Sequence, residues 1–543
     1  MMEGVVVPLN ALTRMLDATV VSGDGAVLVS DIVYDSRAGR PGVVFVALPS
    51  KLRDGHDFIA DAYDRGVRAF VVERGTEAYD DVTVVRVGDT HHALALMSQC
   101  YFGFPERELT IVAVTGTKGK TTTSYMLQAI CQAAGRQVGL IGSNGITFAG
   151  RHSKSPNTTP ESYLLQQAMA EMVAAGVETL IMETTSQGFL MGRTDGIRFS
   201  LGVFTNISPD HISALEHSSF DEYFTCKKKL FSQAELCCVN ADAELYEQIV
   251  AGADCPIQTY GTTNGCDCQA TDITLTWSDQ RLLTTFTART KRHSFNVELG
   301  VPGFCNVSNA LAAIAVADQL AIPVEAIQAG LAQVRVPGRM EIVEVPAPYT
   351  VLIDFAHNQL SIRALLDTAK AYRPRRILAV FGLEGDRTHL RRWDCGQALG
   401  RDVAHTILAD ASPRYDDPDR ILADIAAGIE QGGGSGRYEI IRDRRQAIPA
   451  ILDMAQPGDL ILLVGKGNVM YEEVCGNYFP IDERQIVRDY FTSESNHRPP
   501  PDRPLTTAPG KIHRETNLDE WNTPSSTSMD SAPAQAVVRN GMT

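Results

Sequence analysis

An apolar run meets a glycine-bearing turn and a helical stretch in Ile111-Val-Ala-Val-Thr-Gly-Thr-Lys-Gly-Lys-Thr-Thr-Thr-Ser-Tyr125. This is the composition of a phosphate loop. Gly116 and Gly119 can take backbone angles closed to other residues, so the amides of Thr117, Lys118, Gly119, Lys120, Thr121 and Thr122 can converge on a polyphosphate at a helix N-terminus. Lys120 adds a point charge, and the Thr121 hydroxyl is a natural Mg²⁺ ligand. The spacing, G-x-x-G-K-T, is two residues tighter than the usual loop, with Val114 where the first glycine of the longer form would fall. Glu183 and the segment Thr205-Asn-Ile-Ser-Pro-Asp-His211 each follow a run of strand character, which would turn a carboxylate and an imidazole toward the loop. Mg²⁺ takes oxygen ligands and bridges one or two carboxylates to phosphates, so Thr121 with Glu183 makes one site. His211 taken alone reads as a hydrogen-bonded structural histidine. In Phe220-Asp-Glu-Tyr-Phe-Thr-Cys-Lys-Lys-Lys-Leu-Phe231, helical spacing turns at least one of three lysines inward. Burial and like charge lower the pKa of such an amine, and a neutral amine can react with CO₂.

These residues need elements to hold them. A chain of 543 residues is too long for one core and calls for several domains. Residues 1–107 alternate strand and helix (Val27–Tyr34, Val43–Ala47, the helical Phe58–Arg65, Ala69–Val72, Val82–Val87) and read as a small α/β domain. Its turns Asp35-Ser36-Arg37 and Asp54-Gly55-His56 fit plain turns with helix caps. Residues 108–337 run strand, helix, strand, the signature of a mostly parallel sheet, with Ile111–Gly116, Leu180–Glu183, Leu201–Asn206 and Leu236–Asn240 as buried strands. Ligands gather at the carboxyl ends of such strands. Residues 270–300 alternate in the manner of a small antiparallel insertion. A third α/β unit over 338–495 repeats the rhythm in Thr350–Asp354, Ile377–Phe381, Thr406–Ala409 and Leu460–Val464. From 496 to 543, Pro, Ser, Thr, Asn and charge predict a disordered tail.

Composition narrows the function further. With 49 Lys+Arg against 65 Asp+Glu, the net charge of −16 opposes binding to nucleic acid or anionic lipid. No apolar run approaches the length of a membrane span, and Met1-Met-Glu-Gly-Val lacks a basic region before an apolar core, so a cytoplasmic enzyme is expected. The 11 cysteines show no regular framework, and Cys266-Asp-Cys268 has no second C-x-x-C pair to complete a zinc site.

Together, Thr115-Gly-Thr-Lys-Gly-Lys-Thr121, Glu183-Thr-Thr-Ser-Gln187 before Gly192-Arg193, Asp210-His211, Cys226-Lys227 before Leu230-Phe231, and Asp354-Phe-Ala-His357 resemble the Mur ligases, of the MurE type. The resemblance spans residues 25 to 490 in order and implies three domains: a UDP-sugar-binding domain, an ATP-binding phosphate-loop domain and a Rossmann-like acceptor domain. It implies that ATP phosphorylates the free carboxylate of UDP-N-acetylmuramoyl-L-alanyl-D-glutamate and that an amino acid's amine displaces the phosphate. It assigns Lys120 to the β/γ-phosphates, Thr121 and Glu183 to one Mg²⁺, and His211 with a carbamylated Lys227 to a second. Asn306 and Asn309 then fall on the adenine side, Arg339 on phosphate, and Asp354 and His357 on the nucleotide once the third domain closes. Ser36, Asp54 and His56 belong to the uridine end, Asn157, Thr158, Thr159, Ser186 and Arg193 to the muramoyl-dipeptide. Arg387, Ser412, Arg414 and Gly465 face the acceptor, and a monomer is expected.

The chain departs from that pattern at Gln187, at Ala411-Ser-Pro-Arg414 and at Gly465-Lys-Gly-Asn-Val469, where many relatives have Ser-His, Asp-Asn-Pro-Arg and Gly-Lys-Gly-His-Glu. Val469 removes an acceptor for a far amine, and Gln187 resembles lysine-adding members, so L-lysine is expected slightly ahead of meso-diaminopimelate. Two other classes are open to a phosphate loop. A switch or transport ATPase should show N-K-x-D or a partner surface, and a folylpolyglutamate synthetase-type ligase lacks an N-terminal domain like residues 1–105.

Overall fold

The computed structural model describes residues 6–492 except 52, 76–78, 210–211, 213–215, 279–280 and 387. Asp210, His211, Arg387 and the expected tail lie outside the described residues.

Near the N-terminus a five-stranded sheet runs in the order Ala18–Ser22, Thr83–Val87, Ala69–Val72, Val43–Val46, Asp31–Val33. Neighbours are parallel except at the first pair. The single strand expected over Val27–Tyr34 is two strands. Leu28–Val29 pairs with Val7–Pro8, while Asp31–Val33 joins the larger sheet. The break comes at Ser30, whose N–H donates to the Gly42 carbonyl at 2.7 Å and hands the chain from one sheet to the other.

Eleven strands form the central sheet, with the phosphate-loop strand Thr110–Thr115 between Thr179–Glu183 and Leu201–Phe204, parallel to both. Ile111, Val112, Ala113 and Val114 are all buried, so both faces need covering. Helix Lys120–Ala133 covers one of them, and against it lies helix Phe304–Gln319. The latter's Ala310, Ala312, Ala313, Ala315 and Ala317 are fully buried, small side chains that let neighbouring backbones approach. The antiparallel region is not a separate insertion. Cys268–Ser278 continues the same sheet from Ile257–Gly261, in parallel, and Arg281–Arg289 and Ser294–Leu299 follow antiparallel to its edge.

The third sheet runs Glu341–Val343, Thr350–Asp354, Leu460–Val464, Ile377–Phe381, His405–Leu408, Tyr438–Ile440, parallel after the first pair. One continuous apolar cluster reaches from Val112 and Leu311 to Leu352, Leu366 and Phe381, so the central and third units share packing.

Candidate active site

The chain reverses at Gly116, φ 140°, and at Gly119, φ 88°. Each glycine is also needed for space: a Cβ on Gly116 would stand 1.9 Å from Thr205 Oγ1, and one on Gly119 2.4 Å from Asn309 Oδ1. The loop is gripped by the end of the next strand. Thr205 Oγ1 and Asn206 Nδ2 donate to the Lys118 carbonyl at 2.6 and 3.1 Å, and Asn206 Oδ1 accepts from the Lys118 N–H. Lys120 folds its Nζ back onto the carbonyls of Gly116 and Thr117. Thr121 Oγ1 donates to Glu183 Oε2 at 3.1 Å, and Ser143 holds the same carboxylate through its N–H and its hydroxyl. Glu183 is buried, and Gly142 makes room for it, since a Cβ there would meet its Oε1 at 2.3 Å.

On the far side, helix Phe220–Gln233 starts at Ser219, whose hydroxyl accepts from the Glu222 N–H. It sends Lys227 inward: 2% exposed, its Nζ donates to the Gly116 carbonyl at 2.9 Å and lies 4.9 Å from the centre of the Tyr223 ring. Lys228 and Lys229 instead cap carbonyls of Gln248, Ala251 and Phe189. Helical spacing narrowed three lysines to at least one turned inward and the family resemblance named Lys227; the helix turns Lys227 inward.

Toward the expected dipeptide end, Thr159 Oγ1 donates to the Glu183 carbonyl, tying the 157–161 turn to the strand Thr179–Glu183. Arg193 donates to Glu161 Oε1 at 2.6 Å and to the Thr159 carbonyl at 3.0 Å, so much of its fork holds the turn itself. Thr158 reaches Ser143 at 3.2 Å, and Asn157 accepts through its carbonyl from Ser155. Ser186 is buried against His217. In the N-terminal unit, Asp35 and Asp54 cap short 3₁₀ turns that carry Ser36 and His56. His56 Nε2 accepts from the Glu73 N–H, which leaves Nδ1–H to donate to Asp54. Lys51 Nζ on the Glu216 carbonyl and Tyr163 OH on Asp31 join this unit to the central one.

Asp354 ends its strand in the third sheet, and His357 follows it. Burial pushes the Asp354 carboxyl up, and Arg339, whose guanidinium lies 4.7 Å from the Phe355 ring centre, draws it back. Burial, then the neighbouring Arg391 and more distant Lys118 and Arg339, lower His357 to about 3. Its Nδ1–H donates to the Phe355 carbonyl, leaving Nε2 as an acceptor. Asn309 donates to Asn306, and Asn306 to the Pro302 carbonyl, so the two asparagines brace the helix start behind Gly119. Further along, Arg414, at φ 53°, pairs with Glu384 at 3.2 Å and Glu473 at 3.3 Å. Ser412 Oγ accepts from the Glu473 N–H. Gly465 lies so close to Gly382 that a Cβ would stand 2.1 Å from its carbonyl oxygen.

Sequence reasoning missed Ser143, Tyr223, His217, Glu384 and Glu473. Ser143 follows the unread strand Val138–Gly142, whose two glycines mask its apolar character. The glutamates become neighbours only through isolated bridges, Glu384 to Ser412 and Arg414 to Val474, that no local pattern announces.

A strand, glycine loop and helix of the phosphate-binding type in a central, mostly parallel sheet, between two further α/β units, is the architecture of a multidomain phosphate-loop enzyme. Three family models match in succession: "Mur ligase family, catalytic domain" over residues 29–101, "Mur ligase middle domain" over 114–317, and "Mur ligase, glutamate ligase domain" over 338–467. The UDP-N-acetylmuramoyl-L-alanyl-D-glutamate--2,6-diaminopimelate ligase of Caldanaerobacter subterraneus subsp. tengcongensis is 35% identical over 470 residues, 86% of this chain and 96% of that one. The enzyme of the same name from Clostridium perfringens is 33% identical, over 89% and 99%. A solved structure of a ligase of that name superposes with a TM-score of 0.65 at 26% identity, covering 90% of this chain and 99% of the other. The chain belongs to the Mur ligase family. It is an ATP-dependent ligase that forms a C–N bond, and the family match over residues 29–101 supplies the domain that a folylpolyglutamate synthetase-type reading or a non-ligase ATPase reading leaves without a role.

Proposed function

We propose that the enzyme joins the free carboxylate of UDP-N-acetylmuramoyl-L-alanyl-D-glutamate to an amine of a diamino acid, meso-diaminopimelate ahead of L-lysine, at a step of peptidoglycan precursor synthesis. The observation that carries the reading is the Thr121–Glu183 hydrogen bond at the phosphate loop, beneath a third sheet whose Arg339 and His357 are within electrostatic reach of Glu183 and Lys118. In this reading the loop amides, Lys120 and Arg339 hold the phosphates, and Asn306, Asn309, Asp354 and His357 the rest of ATP. At neutral pH His357 is an uncharged acceptor. Ser36, Asp54 and His56 take the uridine end; Asn157, Thr158, Thr159, Ser186 and Arg193 the dipeptide.

Thr121 and Glu183 suit Mg²⁺. One oxygen, Glu183 Oε2, faces both the Thr121 and Ser143 hydroxyls, and a single carboxylate beside a phosphate site is the usual protein share of a magnesium shell. Bound there, the ion would neutralise charge on the transferred phosphoryl group. Lys227 as a carbamate, with His211, is the proposed second ligand pair. A monomer working in the cytoplasm fits the reading; among the described residues no helix is long and apolar enough to cross a membrane.

The acceptor preference moves from the sequence expectation. Both relatives described above carry 2,6-diaminopimelate in their names. Arg414 and Ser412 can meet a far carboxylate, and Glu384 and Glu473 beside Arg414 offer the far ammonium the acceptor that Val469 lacks. Arg387 is the proposed grip on the acceptor's α-carboxylate, with Gly465 lining the approach. The test is phosphate release with ATP and Mg²⁺, with and without the nucleotide dipeptide, followed by kcat/KM for the two diamino acids. Equal release without the dipeptide would sink the ligase reading. A preference for L-lysine of about tenfold, roughly 1.4 kcal/mol of transition-state binding, would reverse the acceptor assignment.

A further inference from the structure

His217 is fully buried, yet no step proposed so far uses it. Its Nε2 lies 2.8 Å from Ser186 Oγ, the first residue of the short helix Ser186–Leu190. Its Nδ1 side faces Glu222, 3.7 Å away, and Glu222 is itself fixed by the N–H and hydroxyl of Ser218. The imidazole stands edge to face with the Tyr223 ring, centroids 5.3 Å apart and planes at 65°. Tyr223 OH is 2.9 Å from Thr117 Oγ1 inside the phosphate loop, and Thr117 Oγ1 also accepts from the Ser208 N–H. One step before His217, the Glu216 carbonyl takes Lys51 Nζ from the N-terminal unit.

A contiguous line of buried contacts therefore runs Ser186, His217, Tyr223, Thr117. It begins where the acid substrate is expected and ends where the phosphates are. Forming an acyl phosphate requires the attacking carboxylate and the transferred phosphorus to meet within a few tenths of an ångström of the reacting geometry, and small misplacements are costly. Ser186 alone is a short rotor with three staggered positions. A buried imidazole of fixed orientation leaves it one.

We propose that His217 is a positioning residue that locks the Ser186 hydroxyl and keeps it in register with the phosphate loop. The inference rests on the ligase reading given above. Its test is a double-mutant cycle on the full-length enzyme: wild type, Ser186→Ala, His217→Asn and the pair, assayed for dipeptide-dependent phosphate release, with ADP affinity and melting temperature measured alongside. Each single variant is expected to lower kcat with the nucleotide dipeptide by about tenfold or more. KM for the diamino acid and ADP affinity should stay near wild type, and the double variant should be no worse than the poorer single one, because both remove the same restraint. If His217→Asn melts early, His217→Gln, whose amide keeps a hydrogen bond for Ser186, replaces it and is expected to recover part of the rate. Losses that multiply in the double variant, or a matching loss of ADP affinity, would overturn the proposal while leaving the ligase reading intact. A wild type that ignores the dipeptide overturns the reading and this inference together.

Discussion

Lys227 is an amine in a place that ordinarily excludes one, at 2% exposure on a helix face otherwise filled by Tyr223, Cys226, Leu230 and Phe231. Its Nζ rests on the Gly116 carbonyl of the loop, so whatever this nitrogen carries is held against that loop. Carbamylation would convert the long cation into a long carboxylate there. Lys227→Ala should cost most of the turnover while ADP still binds, and ¹³C-labelled bicarbonate should give a carbamate resonance that the variant lacks; an active wild type without that signal defeats the idea. Among the described residues Lys466 is the other buried lysine, its Nζ donating to the carbonyls of Ala411 and Tyr471. Burial, then repulsion from Arg444, lowers it from 10.5 to about 8. For a base whose folded pKa is depressed, the unfolded chain holds the extra proton between the two values, so stability rises with pH across that window. Wild type should therefore gain on Lys466→Met between about pH 8 and 10.5 in paired denaturant titrations. A pH-independent gap between the two would show that the amine is not depressed.

At the scale of elements, the strand, loop and helix over residues 110–133 show what spacing alone discloses. The apolar run, the two glycines and the lysine sit next to one another in the chain, and the structure builds them as strand, turn and helix without a break. What lies opposite comes from more distant segments: Ser143 meets Glu183, 40 residues on, while Glu183, Thr205 and Asn309 meet loop atoms 62 to 186 residues away, so the sequence named the last three without showing which loop atoms they touch, and Ser143 carried no local sign. The same distance explains the strand Val138–Gly142. Its glycines are there because Met172 and Glu183 press against them, a requirement invisible until the sheet is assembled. Gly116→Ala tests the loop as a unit. The new methyl would collide with Thr205 Oγ1, the atom that holds the Lys118 carbonyl, so either the threonine leaves or the turn opens. An ATP dissociation constant raised more than about tenfold is expected, with a stability loss held to about 1–3 kcal/mol because the strand and helix keep their own packing. Unchanged nucleotide affinity would mean that the loop tolerates a second conformation.

Across the whole molecule, the order of the three units was legible because each carries its own strand rhythm, whereas their docking was not, since it depends on single side chains far apart in sequence. Tyr372 is the clearest of these. It follows the helix Gln359–Ala371 of the third unit, and its hydroxyl bonds to Thr284 Oγ1 and accepts from the Gly303 N–H at 2.8 Å, both in the central unit. Gly303, at φ 116°, begins the helix that carries Asn306 and Asn309, so this contact sets the third sheet against the proposed nucleotide site at its adenine side. Tyr372→Phe keeps the ring and deletes only the hydroxyl. Gly303 retains Thr284 Oγ1 as an acceptor at 3.0 Å, which limits the loss to about 1 kcal/mol of docking energy. A state that binds nucleotide only when docked loses apparent affinity in proportion to the docked fraction, so KM for ATP should rise by up to about fivefold. The chemistry inside the docked complex is untouched, and kcat at saturating ATP should stay near wild type. Small-angle scattering should show a larger radius of gyration without nucleotide and recovery with it. If both KM and the radius match wild type, the two units are held by their shared apolar cluster alone and the tyrosine contributes nothing to closure.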